Sequence, residues 1–165
     1  NVAALMEGFT AFGVREFVLW GYCGTIGREL DVGDVLAVTG ALREDGLSHH
    51  YVDTDEEMIF TPWFDAWKDA IGRHEFQTGP VWSTDAIYRE TVGKVDAHQA
   101  RGIVAVEMEV ASCYAVAAHL GVNAIAFLVV SDSLRKGRWE AGFHGSPLKV
   151  GVKRMIAFLL AEAIR

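Results

Sequence analysis

Three short stretches carry residue types suited to chemistry. Ser131-Asp132-Ser133 directly follows the apolar run Asn123 to Val130. A carboxylate there is costly unless it is hydrogen-bonded or shares a proton. Such an aspartate could grip a ring nitrogen or an exocyclic amine, or hand a proton to a leaving group. It is equally a good N-cap or turn former. Glu107-Met108-Glu109 puts two carboxylates where a strand gives way to a helix. A helix N-terminus favours negative charge, so capping is one reading. An ionised carboxylate offers only acceptors, which suits a sugar diol, and that is the other. Residues two apart do not share a helix face, so the two glutamates have different jobs. Gly21-Tyr22-Cys23-Gly24 could bring backbone N–H groups against a small ligand, although an ordinary turn explains it as well.

Other candidates carry less. Arg135-Lys136-Gly137-Arg138 could hold one small anion but is too short for a duplex, and the formal charge of −7 offers nucleic acid no basic patch. Cys23 has no paired histidine and is not read as a nucleophile. Two cysteines give no disulfide framework, so a reducing, cytoplasmic setting fits. His49-His50 has no third ligand at a recognisable spacing, so no metal is expected. Trp82, Tyr88, Trp139, Phe143 and His144 form either an aromatic wall or core packing. Trp139 and Phe143 lie in a polar, glycine-bearing stretch where Gly137 and Gly142 would give a lid its freedom.

These residues need a scaffold. The chain has 165 residues, 51% of them apolar, which suits one domain with a real core. Seventeen glycines against three prolines fit many tight strand-to-helix turns. Val2, Leu5, Met6 and Phe9 repeat at helical spacing up to Gly13. Strands are expected at 16–21, 35–39, 74–82, 102–106 and 123–130, and helices at 62–71, 89–100, 107–120 and 148–163. Residues 44–60 read as a long, unstructured excursion, often a functional feature. The run 123–130 is apolar on both faces, as in the centre of a parallel sheet covered by helices. It is too short to span a membrane, and the start shows no signal-peptide pattern. The order predicts a three-layer α/β arrangement, forming one domain over 1–165. Ligand chemistry belongs at the strand carboxyl ends: 22–27, 83–88, 106–109 and 131–138. A helix feeding straight into a strand suggests that the chain begins inside a larger fold, lacking N-terminal strands.

Val106-Glu107-Met108-Glu109-Val110-Ala111-Ser112 followed by Ser131-Asp132-Ser133-Leu134 resembles the signature of the purine nucleoside and uridine phosphorylase family. Gly21 to Gly24, Asp31-Val32-Gly33-Asp34-Val35 and Ser83-Thr84-Asp85-Ala86-Ile87-Tyr88 fit that family in order. The resemblance implies a three-layer α/β/α sandwich with a mixed central sheet, partly barrel-like, assembled as a homo-oligomer, dimer, trimer or hexamer. It implies a glycosyltransferase that cleaves the N-glycosidic bond of a small-molecule nucleoside, with inorganic phosphate as co-substrate and no cofactor, provided that the chain carries the family's N-terminal part. By place in the motif, Glu109 would hold the ribose hydroxyls and Met108 would pack on the sugar. Asp132 would bond and protonate a departing purine, supported by Ser131. Cys23, Gly24, Val106, Ile87 and Tyr88 would line the base pocket. The pyrimidine-reading Gln and Arg pair is absent, which favours purines. Tyr22 stands where the family places a Ser or Thr that holds phosphate, and Leu19 where many purine members place an arginine. Tyr22, Arg135 and Arg138 are therefore the remaining phosphate candidates. The same departure leaves a nucleosidase using water, or a non-catalytic nucleoside-binding or scaffold protein, as alternatives.

Overall fold

The computed structural model describes residues 1–135 and 137–163. The chain runs α1 (Val2–Ala11), β1 (Glu16–Thr25), β2 (Val35–Glu44), a single turn α2 (Ser48–Tyr51) and β3 (Met58–Phe60). A 3-10 segment (Pro62–Trp67) leads into α3 (Lys68–Arg73), then β4 (Gln77–Thr84) and a 3-10 turn (Ile87–Arg89). α4 (Val92–Ala100), β5 (Ala105–Glu107), α5 (Val110–Leu120), β6 (Asn123–Arg135), β7 (Arg138–Ala141) and α6 (Ser146–Phe158) follow, and a π-helical turn at 159–163 is the last described element. No helix among the described residues is long and apolar enough to cross a membrane.

The α/β class and the mixed sheet are as expected. Seven strands lie in the order β3-β2-β4-β5-β1-β6-β7, and β2 also pairs with β6. That extra pairing closes β2, β4, β5, β1 and β6 into a ring, the partly barrel-like form that the resemblance implies. β6 is buried on both faces, as its apolar run requires. Its neighbour β1 is parallel, but β2 and β7 are antiparallel to it. Ala124, Ala126, Leu128 and Val130 face α1 and α5, whereas Ile125, Phe127 and Val129 face α3 and α6. Tyr114 of α5 fastens the seam. Its hydroxyl donates to the Val38 carbonyl at 2.8 Å and accepts from the Ala126 N–H at 3.1 Å, where the β2–β6 pairing ends. Gly121 ends α5 in the left-handed region at φ 64°, a conformation that carries no Cβ penalty in glycine.

Several boundaries differ from the sequence expectation. β1 and β6 run past their apolar stretches to Thr25 and Arg135, so Tyr22 to Gly24 and Ser131 to Arg135 are strand and not loop. Ladder hydrogen bonding to a neighbour, invisible in a single strand's pattern, extends both. The stretch 138–141, expected as part of a lid, is the edge strand β7. Gly142 is not a hinge: a Cβ there would lie 2.5 Å from Val32 Cγ1 and 2.6 Å from the Ser131 carbonyl oxygen. α4 starts at Val92 because Thr91 caps it, accepting from the Lys94 N–H at 3.4 Å.

The excursion 44–60 is ordered from within. Arg43 is buried and reaches into it, donating to the carbonyls of Val52 at 2.7 Å, Glu56 at 3.1 Å and Ser48 at 3.2 Å. Asp45, also buried, accepts from the Ser48 N–H at 2.8 Å and from the Ser112 hydroxyl of α5. One guanidinium thus satisfies backbone acceptors that the irregular path leaves without ladder partners. Arg43→Leu should lower unfolding stability by about 2–4 kcal/mol through those orphaned carbonyls. Urea denaturation measures this, and a loss below about 1 kcal/mol would contradict the assignment.

Candidate active site

β5 is antiparallel to β1, and the last two residues of β1 pair with the first two of β5, Gly24 with Val106 and Thr25 with Ala105. Gly24 also pairs with Asp132, and Val106 with Trp82. With Leu42 beside Trp82 and Ala141 beside Asp132, one lateral row crosses six strands. The row passes near the carboxyl ends of β1, β4 and β6 and through β5, and it sets Gly24 between Val106 and Asp132. Glu109 stands two residues beyond β5, at the N-cap of α5, and Asp132 on β6, with β1 between the two strands.

A break in register aims Asp132. Along β1 and β6, Cys23 pairs with Val130 but Gly24 pairs with Asp132, leaving Ser131 as an extra residue. By simple alternation Asp132 would follow Val130 onto the α1–α5 face. The bulge turns it to the opposite face, with Gly24 and Leu134. A Cβ at Gly24 would lie 3.0 Å from Leu134 Cδ1, 3.1 Å from Asp132 Oδ2 and 3.4 Å from Val106 Cγ1. Glycine keeps that space open. Ser131 spans the break: its hydroxyl lies 2.6 Å from Asp132 Oδ1 and 3.2 Å from the Cys23 carbonyl. The Trp139 indole N–H donates to Asp132 Oδ2 at 2.8 Å. Asp132 is thus held on both oxygens, with a further lone pair on each for a ligand.

The two glutamates divide their work. Glu107 is buried and caps α5: Oε2 accepts from the N–H groups of Glu109 at 2.6 Å and Val110 at 2.8 Å, while Oε1 takes the Ser83 hydroxyl. Ser83 Oγ in turn accepts the Ala111 N–H at 2.9 Å. Three N–H groups of the first turn are so satisfied from two strands. Burial pushes the Glu107 carboxyl up to about 7 against these hydrogen bonds. Glu109 is exposed at the N-cap position and its carboxylate bonds to no described residue. It remains available to a ligand.

Other expectations need correction. The Cys23 side chain is buried in the cluster with α1 and α5, so only its backbone reaches the site. Burial, with the charges of Glu107 and Asp132, pushes its thiol far up, which removes thiolate chemistry. The aromatic wall is dispersed. Trp82 is core, Tyr88 is 97% exposed, and Trp139 pairs with Phe143 at 5.9 Å beside Asp132. Met108 and Ile87 are exposed and Val106 is buried. Tyr22 is half exposed and lies edge-on to Trp20 at 6.1 Å. Arg135 donates to Asp31 at 3.1 Å, while its Nε and Nη2 are buried with no described partner. Arg138 is exposed on β7, and Lys136 lies outside the described residues. No cluster of three or more metal-ligating side chains occurs among the described residues. Sequence reasoning missed Ser83 as a helix-capping partner, Arg43 as an organiser and Glu90 beside Asp132; recognising Thr91 as an N-cap would have freed Glu90 from the helix.

The family model of the phosphorylase superfamily matches residues 1–164. The chain belongs to the phosphorylase superfamily. This superfamily chain is 32% identical over 169 residues to a guanosine phosphorylase of Halorubrum lacusprofundi, covering 97% of itself and 69% of that protein. It is 31% identical over 135 residues to a DeoD-type purine nucleoside phosphorylase of Haemophilus ducreyi, covering 79% of itself and 57% of the relative. It thus spans little more than half the length of the second protein. Among solved structures, the P knowlesi homolog of P falciparum PNP superposes with a TM-score of 0.79 at 20% identity, covering 99% of this chain and 69% of that one. That likeness concerns the fold.

The Glu107 environment makes a pH prediction. A carboxyl raised when folded contributes most below its unfolded value of 4.5, and that contribution is lost as pH rises to about 7. The stability of the native protein relative to Glu107→Gln should therefore fall between those pH values and level off above them. Parallel stability curves for the two proteins would contradict the burial argument.

Proposed function

We propose that this chain binds a purine nucleoside where β1, β5 and β6 converge and cleaves its N-glycosidic bond with inorganic phosphate. The observation that carries the reading is the bulge at Ser131, which directs Asp132 across the space that Gly24 leaves open. The curated relatives named guanosine phosphorylase and purine nucleoside phosphorylase support the same chemistry.

The residues divide the reaction as follows. Breaking the bond develops oxocarbenium character on the ribose and negative charge on the base. Glu109, with free acceptors, holds the ribose hydroxyls, and exposed Met108 lies beside it against the sugar. The base rests over Gly24 and Val106, with Leu134 on the same face. Asp132, steadied by Ser131 and Trp139, bonds to the purine and delivers a proton as it leaves. The Nε and Nη2 donors of Arg135 suit a phosphate oxygen, and the hydroxyl of Tyr22 and the guanidinium of Arg138 are the remaining candidates.

The test is base release from guanosine, inosine, adenosine and uridine, with and without phosphate. Purine release that requires phosphate is expected. Release without phosphate would replace the reading with hydrolysis, and no release would leave binding alone. Asp132→Ala should lower kcat by about 10²–10⁴-fold with little change in the thermal midpoint. Equal loss of folding and activity would make Asp132 a structural residue.

A further inference from the structure

Helix α4 is fastened to the sheet along its length. At its start Val92 packs on the turn between β6 and β7, where a Cβ at Gly137 would lie 3.1 Å from Val92 Cγ2. Val95 is buried in a cluster with Trp82 and Val106. In the last turn the ring of His98 stands 4.5 Å from the buried indole of Trp82, at an interplanar angle of 59°. Lys94, one turn earlier, lies over the same indole at 5.6 Å and pairs with Glu44 at the end of β2. α4 forms part of the wall beside Asp132, because Val92 and Val95 line one cavity with the Trp139 that donates to Asp132.

His98 is the unexplained member. Both ring nitrogens are buried without a hydrogen-bond partner among the described residues. A neutral ring brings one N–H into that setting, whereas a protonated ring brings two and a charge. Few charges face it. Glu44 of β2 lies 3.8 Å away, but Lys94 already holds that carboxylate. Lys94 and Arg101 flank the ring along α4, and both are cations; Arg101 is paired with Glu57 at 2.6 Å. From β4 the facing group is the indole, and the cluster around it, Leu42, Val95, Ile103 and Val106, is uncharged. Burial, with the two cations, outweighs the pull of Glu44 and holds the imidazole below its ordinary range.

A base held in its neutral form by folding stabilises the packed state above its unfolded value of 6.5, and that contribution is lost as pH falls below it. Glu107 acts in the opposite direction, since its buried carboxyl favours the folded state increasingly as pH falls from about 7. Mild acid therefore strains α4 while it firms the start of α5. A measurement that reads each helix separately distinguishes the two effects.

We propose that His98 is an acid-sensitive anchor: protonation of its ring loosens α4, a wall of the site beside Asp132, from Trp82. The inference is independent of the reaction carried out at that site. It is tested by amide hydrogen exchange of residues 92–100 at about pH 7.5 and 5.5, corrected for the intrinsic pH dependence of exchange, in the native protein, His98→Phe and Lys94→Met. Native α4 should lose about 3- to 10-fold in protection at the lower pH, while α5 keeps its own. His98→Phe leaves a ring on Trp82 with no proton to gain, so its protection should be the same at both. Lys94→Met frees Glu44 for the protonated ring and should shrink the loss to about 2-fold or less. Equal protection of native α4 at the two pH values, or a loss as large as the native one in either variant, would overturn the proposal. If His98→Phe does not fold, the Lys94→Met comparison decides alone.

Discussion

The site depends on one extra residue in β6. β6 must serve two masters: its residues 124–131 are buried, and Asp132, which follows them, must carry a carboxylate into a ligand space. Regular alternation would bury that carboxylate under α1 and α5, at a severe desolvation cost. Leaving Ser131 out of the ladder resolves the conflict. The strand keeps its hydrogen bonds to β1 on both sides of the break, and Asp132 emerges on the other face. Ser131 is suited to this position because its hydroxyl reaches both the Cys23 carbonyl and Asp132 Oδ1.

The same separation of structural and available charge recurs at β5. Glu107 and Glu109 are two residues apart, yet the carboxylate of one is buried in three hydrogen bonds and that of the other has none among the described residues. Glu107 fixes the start of α5, and α5 fixes where Glu109 stands. Ser83 of β4 completes this arrangement, and Asp45 ties α5 to the ordered excursion through Ser112. The exposed carboxylate is thus supported by a buried network spread over three segments distant in sequence. Such support is how a site holds its geometry before a ligand arrives.

Much of this was legible in the sequence because it rests on local signals. The apolar run 123–130, the helical spacing of α1, the Gly121 cap and the order of elements follow from periodicity and turn chemistry. The different jobs of Glu107 and Glu109 followed from their spacing alone. What stayed hidden is set by partners across the sheet. The extension of β1 to Thr25 and of β6 to Arg135, the edge strand β7 and the β2–β6 closure are products of pairing, which no single segment encodes. Glu90 was absorbed into a helix that Thr91 starts later, and Arg43 fell between the expected strand 35–39 and the excursion with no role assigned, although it orders the excursion from 48 to 56.

The account is tested most directly by a crystal structure of the protein with a bound purine nucleoside. It predicts one ligand gripped from both sides: a Glu109 oxygen within about 3 Å of a ribose hydroxyl, and an Asp132 oxygen equally close to a base nitrogen, with the ring over Gly24. A nucleoside that touches only one of these carboxylates, or that settles elsewhere on the molecule, would contradict it.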